Sequence, residues 1–79
     1  MPLSYTGRTT RTADDERAQV EDAEGFPVTV IASQEAVQDY GWPTINSVAN
    51  HKYDAEEWQD DGDARLVTVN TDDCKPRGT

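Results

Sequence analysis

Apolar and polar residues alternate over Arg17-Ala18-Gln19-Val20-Glu21, the period of a half-buried strand. Phe26-Pro27-Val28-Thr29-Val30-Ile31-Ala32 follows as a β-branched run bounded by turn residues, the strongest strand in the chain. Pro27 has no N–H for a ladder and marks the start of that strand or an edge. Asp22-Ala23-Glu24-Gly25 supplies a turn between the two runs, so a β-hairpin is expected.

Beyond Ala32 the pattern turns helical. Ser33 is placed as an N-cap whose hydroxyl accepts from a first-turn N–H, with Glu35 at the end of the helix where its dipole favours negative charge. A short helix over 34–40 stops at Gly41, and Trp42-Pro43 forms a corner. From Thr44 onward, Ile45, Val48, Ala49 and Tyr53 share one stripe of a second helix. That helix frays or restarts at Asp54-Ala55-Glu56-Glu57, which has the form of a cap and an acidic first turn. Asp60-Asp61-Gly62-Asp63 reads as a turn, and Ala64–Thr71 as the last strand. The expected fold class is α+β, a small two-layer domain. Its sheet is three-stranded and mainly antiparallel, the hairpin plus the last strand, with two short helices on one face. The expected core is Val20, Phe26, Val28, Val30, Ile31, Val37, Ile45, Val48, Tyr53, Trp58, Leu66, Val67 and Val69, thin for 79 residues.

Charge divides the chain. Seven Lys and Arg stand against 16 Asp and Glu, a net of −9. Residues 1–13 carry +2, residues 14–63 carry −12 and residues 64–79 carry +1. The expected organisation is a flexible, weakly basic arm over 1–13 with room for a short edge strand at 3–6. An acidic domain over 14–73 and a flexible tail over 74–79 follow. No apolar run is long enough for a membrane helix, and Met1-Pro2-Leu3-Ser4 has neither the basic nor the apolar region of a signal peptide. With Cys74 the single cysteine, no internal disulfide can form, and a cytoplasmic location is expected.

Three stretches carry a resemblance. They are Ser33-Gln34-Glu35-Ala36, the helix Ile45-Asn46-Ser47-Val48-Ala49-Asn50-His51-Lys52-Tyr53, and the Asp61-Gly62 turn leading through Leu66-Val67-Thr68-Val69 to Asp72. Together they are similar to a family of small bacterial proteins classed as a domain of unknown function. The likeness spans residues 18–73, although the stretch between Glu35 and Ile45 is shorter here than in that family. It implies a two-layer α/β fold and assigns no activity.

The residues assemble no reaction centre. His51 and Asp54 lie three apart with Glu56 and Glu57 beyond, but zinc takes four ligands, mostly Cys and His, and the chain has one of each. Counting from Asp60 puts Gly62 at position 3 and Ala64 at position 5 of a calcium loop, where oxygen ligands belong. Cys74 beside Lys75 and Arg77 lacks a fixed partner for nucleophilic catalysis. No metal, no cofactor and no catalytic residue is expected, and the protein is read as not an enzyme. Net −9 also argues against direct binding of nucleic acid or an anionic membrane, which requires Lys and Arg.

Two functions remain. The first is a small acidic protein-interaction or regulatory domain meeting a partner with a basic surface. Its expected binding residues are Glu35, Asp39, Asp54, Glu56, Glu57, Trp58, Asp60 and Asp61, with Trp58 as an aromatic anchor among acids. The alternative is an acidic nucleic-acid mimic of the anti-restriction or anti-CRISPR type, which fills the basic cleft of a nucleic-acid-binding protein.

Overall fold

The computed structural model describes residues 3–75, with the side chains of residues 4–8 left aside. Five strands and three helices run in the order β1 (Ser4–Arg11), β2 (Asp15–Glu21), β3 (Pro27–Ser33), α1 (Gln34–Tyr40), α2 (Trp42–Asp54), β4 (Gln59–Asp61), β5 (Ala64–Val69) and α3 (Thr71–Cys74). The strand order is β1-β2-β3-β5-β4. β1, β2 and β3 form an antiparallel meander, β5 lies parallel to β3, and β4 pairs antiparallel with β5. Two parallel neighbours cannot be joined by a tight turn, so the chain between β3 and β5 crosses over through the helices.

The fold is therefore α+β as expected, but the sheet is a five-stranded mixed one with three helices, not a three-stranded, mainly antiparallel one with two. Each addition has a local cause. The Thr-rich segment expected to be an arm pairs with β2, and Leu3 ahead of it is buried and donates its backbone N–H to Asn50 Oδ1 at 2.7 Å. Asp61 faces Ala64 across a two-residue loop, Gly62-Asp63, in which Gly62 takes φ 64°, and this folds Gln59–Asp61 back as β4. Asn70 and Asp73 form a reciprocal capping box that turns the end of the expected last strand into α3. Of the expected tail over 74–79, Cys74 closes α3 and residues 76–79 lie outside the described residues.

One face of the sheet packs on the helices. Ala18, Val20, Val28, Val30, Ala32, Val67 and Val69 line it beneath Ala36, Ile45, Ala49 and Tyr53. Three of the thirteen expected core residues are thereby displaced. Ile31 and Leu66 fall on the opposite face with Thr29 and Thr68 and are only half-buried, while Phe26 is exposed. Alanines fill the helix–sheet gap in their place. Glu16 is buried on the helix-facing side, where Trp42 Nε1 donates to its Oε1 at 2.9 Å and Arg11 lies 3.6 Å from Oε2. This contact ties the start of α2 to the end of the sheet where β3 finishes.

The start of α1 and the end of α2 fall where the sequence places them, at Ser33 and Asp54. Ser33 Oγ accepts from the Ala36 N–H at 3.2 Å, as an N-cap should. At the end of α2 no restart occurs. The Glu57 N–H reaches the Lys52 carbonyl at 2.8 Å and the Glu56 N–H the Tyr53 carbonyl at 3.1 Å, a Schellman closure. Glu56 occupies its left-handed position at φ 61°, where glycine is the usual residue. Glu56→Gly is accordingly expected to raise the unfolding free energy by about 1 kcal/mol. Urea denaturation would measure the gain, and an unchanged or lower midpoint would contradict strain at this residue.

Candidate functional site: the Arg65 corner

The turn between β2 and β3 is built by one carboxylate. Asp22 Oδ1 accepts from the Glu24 and Phe26 N–H groups at 2.9 and 2.8 Å, and the Asp22 N–H donates to the Phe26 carbonyl at 3.0 Å. Gly25 makes the reversal at φ 83°, and Phe26 is carried to the start of β3. Parallel pairing sets Val28 opposite Arg65, so Arg65 enters β5 at the same end of the sheet. Tyr53, near the end of α2, comes down over this end from the helix layer.

These four residues and Trp58 form one assembly. The Arg65 guanidinium lies 4.4 Å from the Phe26 ring centroid and 4.1 Å from that of Trp58, held between the two aromatics. The Tyr53 ring is 5.8 Å from the guanidinium and its centroid is 6.2 Å from that of Trp58. Arg65 Nη1 donates to Tyr53 Oη at 2.6 Å, and Tyr53 Oη donates onward to Asp22 Oδ2 at 2.7 Å. Arg65 also lies 3.8 Å from Asp22 Oδ2. A cleft of about 310 Å³ beside the stack is lined by Asp22, Ala23, Glu24, Tyr53 and Arg65. Asp60 pairs with Arg65 across β4 and β5 and adds a further carboxylate to the rim.

The titration behaviour follows from these contacts. The Tyr53 hydroxyl, followed by the Phe26 N–H, holds the Asp22 carboxyl below the usual range, and the Trp42 indole N–H does the same for Glu16. Burial raises the Tyr53 hydroxyl and also the Cys74 thiol, leaving the latter a poor nucleophile. A carboxyl whose pKa is lower folded than unfolded stabilises the fold fully above its unfolded value, about 4. That contribution is lost as pH falls through the folded value. Stability is expected to drop on acidification below about pH 4, with the drop reduced in Asp22→Asn and Glu16→Gln. Urea midpoints taken as a pH series would test this, and an acid limb in both variants identical to that of the unaltered protein would contradict it.

The residues singled out in the sequence fall into separate groups. Glu35 and Asp39 flank a groove between α1 and α3, shared with Tyr40, Asn70, Thr71 and Asp72, at the end where β3 and β5 finish. Asp54, Glu56, Glu57, Trp58, Asp60 and Asp61 belong to the end of α2, the following loop and β4. Within this group Glu57 lines a different cleft, with Val48, His51 and Lys52. Trp58 is half-buried against Arg65 and is not an isolated anchor. Sequence reading missed Asp22, Phe26 and Arg65 as site residues. Asp22 lies just past the end of β2, Phe26 just before β3 and Arg65 near the start of β5, and the parallel β3–β5 pairing brings Arg65 to the other two.

Each of the five cations with a described side chain (Arg11, Arg17, Lys52, Arg65, Lys75) lies within 4 Å of a different carboxylate. The eleven other acids of the chain are all exposed. Among the described residues no group of three His, Cys, Asp or Glu is placed to hold a metal ion, and no helix is long and apolar enough to cross a membrane. Comparison with models of known families, with curated proteins and with solved structures gives no match.

Proposed function

We propose that the protein is a cytoplasmic, non-enzymatic interaction domain that binds a protein partner with a basic surface, and that the Arg65 corner is its contact. The observation that carries this reading is the stack itself. Phe26, Trp58, Tyr53 and Arg65, the residue types that dominate interface energies, meet at one corner, partly exposed, within a rim that includes Asp22, Glu24 and Asp60. The rest of the surface supplies the long-range field that steers a cationic partner toward it. A nucleic-acid mimic is a narrower form of the same reading. It is favoured by the neutralisation of every cation with a described side chain while eleven acids stay exposed. The division of the acids between two ends of β3 and β5 ranks it second, because a duplex imitation needs one continuous face.

The test is a pair of charge reversals assayed with a fluorescent lysine- and arginine-rich peptide by anisotropy. Glu24→Lys with Asp60→Lys is expected to weaken binding by about tenfold. Glu35→Lys with Asp39→Lys, at the far end, is expected to weaken it by less than about threefold. Equal losses would contradict the placement of the contact, and the absence of salt-sensitive binding by the unaltered protein would contradict the reading as a whole.

A further inference from the structure

Phe26 is the one large hydrophobic residue exposed among those described, at 37%. Its inner face already receives a guanidinium, that of Arg65 at 4.4 Å. An aromatic ring presents the same negative quadrupole on both faces, so the outer face has the same affinity for a planar cation. Arg65 does not cancel it, because the Asp22 carboxylate at 3.8 Å and the Tyr53 hydroxyl at 2.6 Å compensate the inner charge. Glu24 lies two residues from Phe26 in the turn that Asp22 closes, and it enters that turn through its backbone N–H, with an exposed side chain.

We infer that the outer face of Phe26, next to the acidic turn that carries the exposed Glu24, seats an arginine side chain of the partner, adding one layer to the internal stack. This rests on the reading of the corner as a contact for a basic protein and names the partner residue it recognises. Arginine fits and lysine does not. The guanidinium is flat and weakly hydrated, so it can lie on the ring while its fork of N–H donors meets a carboxylate, whereas an ammonium is a strongly hydrated point charge. Each contact here has a counterpart inside the molecule, where Arg65 stacks on the same ring and reaches Asp22.

Two 12-residue peptides, alternating Arg-Gly and alternating Lys-Gly, carry equal charge and separate the two levels of the proposal. Titrated into the full chain at matched ionic strength, the arginine peptide is expected to bind about fivefold more tightly, with its arginine side-chain methylene protons shifting upfield in the ring current of Phe26. Phe26→Leu is expected to bring the affinity ratio near one by weakening the arginine peptide more than the lysine peptide, and Glu24→Gln to reduce the ratio. The amide spectrum of each variant checks that the fold is retained. Equal affinities for both peptides would overturn the arginine seat while leaving the basic partner standing. A preference surviving in Phe26→Leu would also overturn it, and failure of both peptides to bind would overturn the two readings together.

Discussion

Tyr53→Ala is expected to lower the unfolding free energy by about 3–5 kcal/mol, the range for truncating a buried aromatic side chain. Tyr53 is 8% exposed. Its loss opens a void next to Trp58 and removes the hydroxyl that joins Arg65 to Asp22. A domain of this length has a total stability on the order of 4–12 kcal/mol, so a large share would be gone. Tyr53→Phe separates packing from hydrogen bonding. It keeps the ring, strips one partner from each of Asp22 and Arg65, and is expected to cost about 1–2 kcal/mol. Urea titration followed by tryptophan fluorescence measures both variants. A Tyr53→Ala cost below about 1 kcal/mol would contradict the buried position of the ring.

Ile45→Ala is the second large effect, at about 2–5 kcal/mol. Ile45 is fully buried and faces the sheet from the first half of α2, the helix that carries the chain across between the parallel strands β3 and β5. Its neighbours Ala36 and Ala49 are too small to collapse into the space it leaves. Val48→Ala, half-buried on the flank of the same helix, is expected to cost about 1 kcal/mol. Equal costs at the two positions would show that α2 does not press the Ile45 side on the sheet.

The parts of this fold legible in the sequence are those specified by neighbouring residues. The β2–β3 hairpin follows from alternation and an Asp–Gly turn, the start of α1 from the Ser33 cap, and its end from Gly41. What escaped depends on partners distant in the chain. β1 has little apolar content of its own and becomes a strand because β2 offers an open edge and α2 offers Asn50 to hold Leu3. β4 is three exposed polar residues, two of them Asp, unrecognisable as a strand until β5 lies beside it, and its charge guards the edge it forms. At Asp54 the helix ends, as one of the two sequence alternatives has it, and the restart does not occur. The acidic run after Asp54 has the form of a helix start, yet the tertiary pull of Trp58 toward Arg65 makes it a helix end with a non-glycine residue at positive φ.

The candidate site divides in the same way. Trp58 and the acids around it stand out by residue type, but the function of an aromatic depends on what lies against its face. That partner, Arg65, sits in a strand whose pattern marks it as ordinary, and Phe26 counts toward the core by hydropathy alone. Parallel pairing of β3 and β5 turns these unremarkable residues into one stack with an acidic rim, and it sends Glu35 and Asp39 to the other end of the domain.

The most direct measurement of the central claim is a two-dimensional amide NMR titration of the full chain with a lysine- and arginine-rich peptide. The expected result is a set of saturable shifts concentrated at residues 22–26, 53 and 58–65, including the Trp58 indole N–H, with residues 34–40 and 71–74 nearly still. Shifts spread evenly over all exposed acids, or centred on the groove between α1 and α3, would contradict the assignment of the Arg65 corner as the contact.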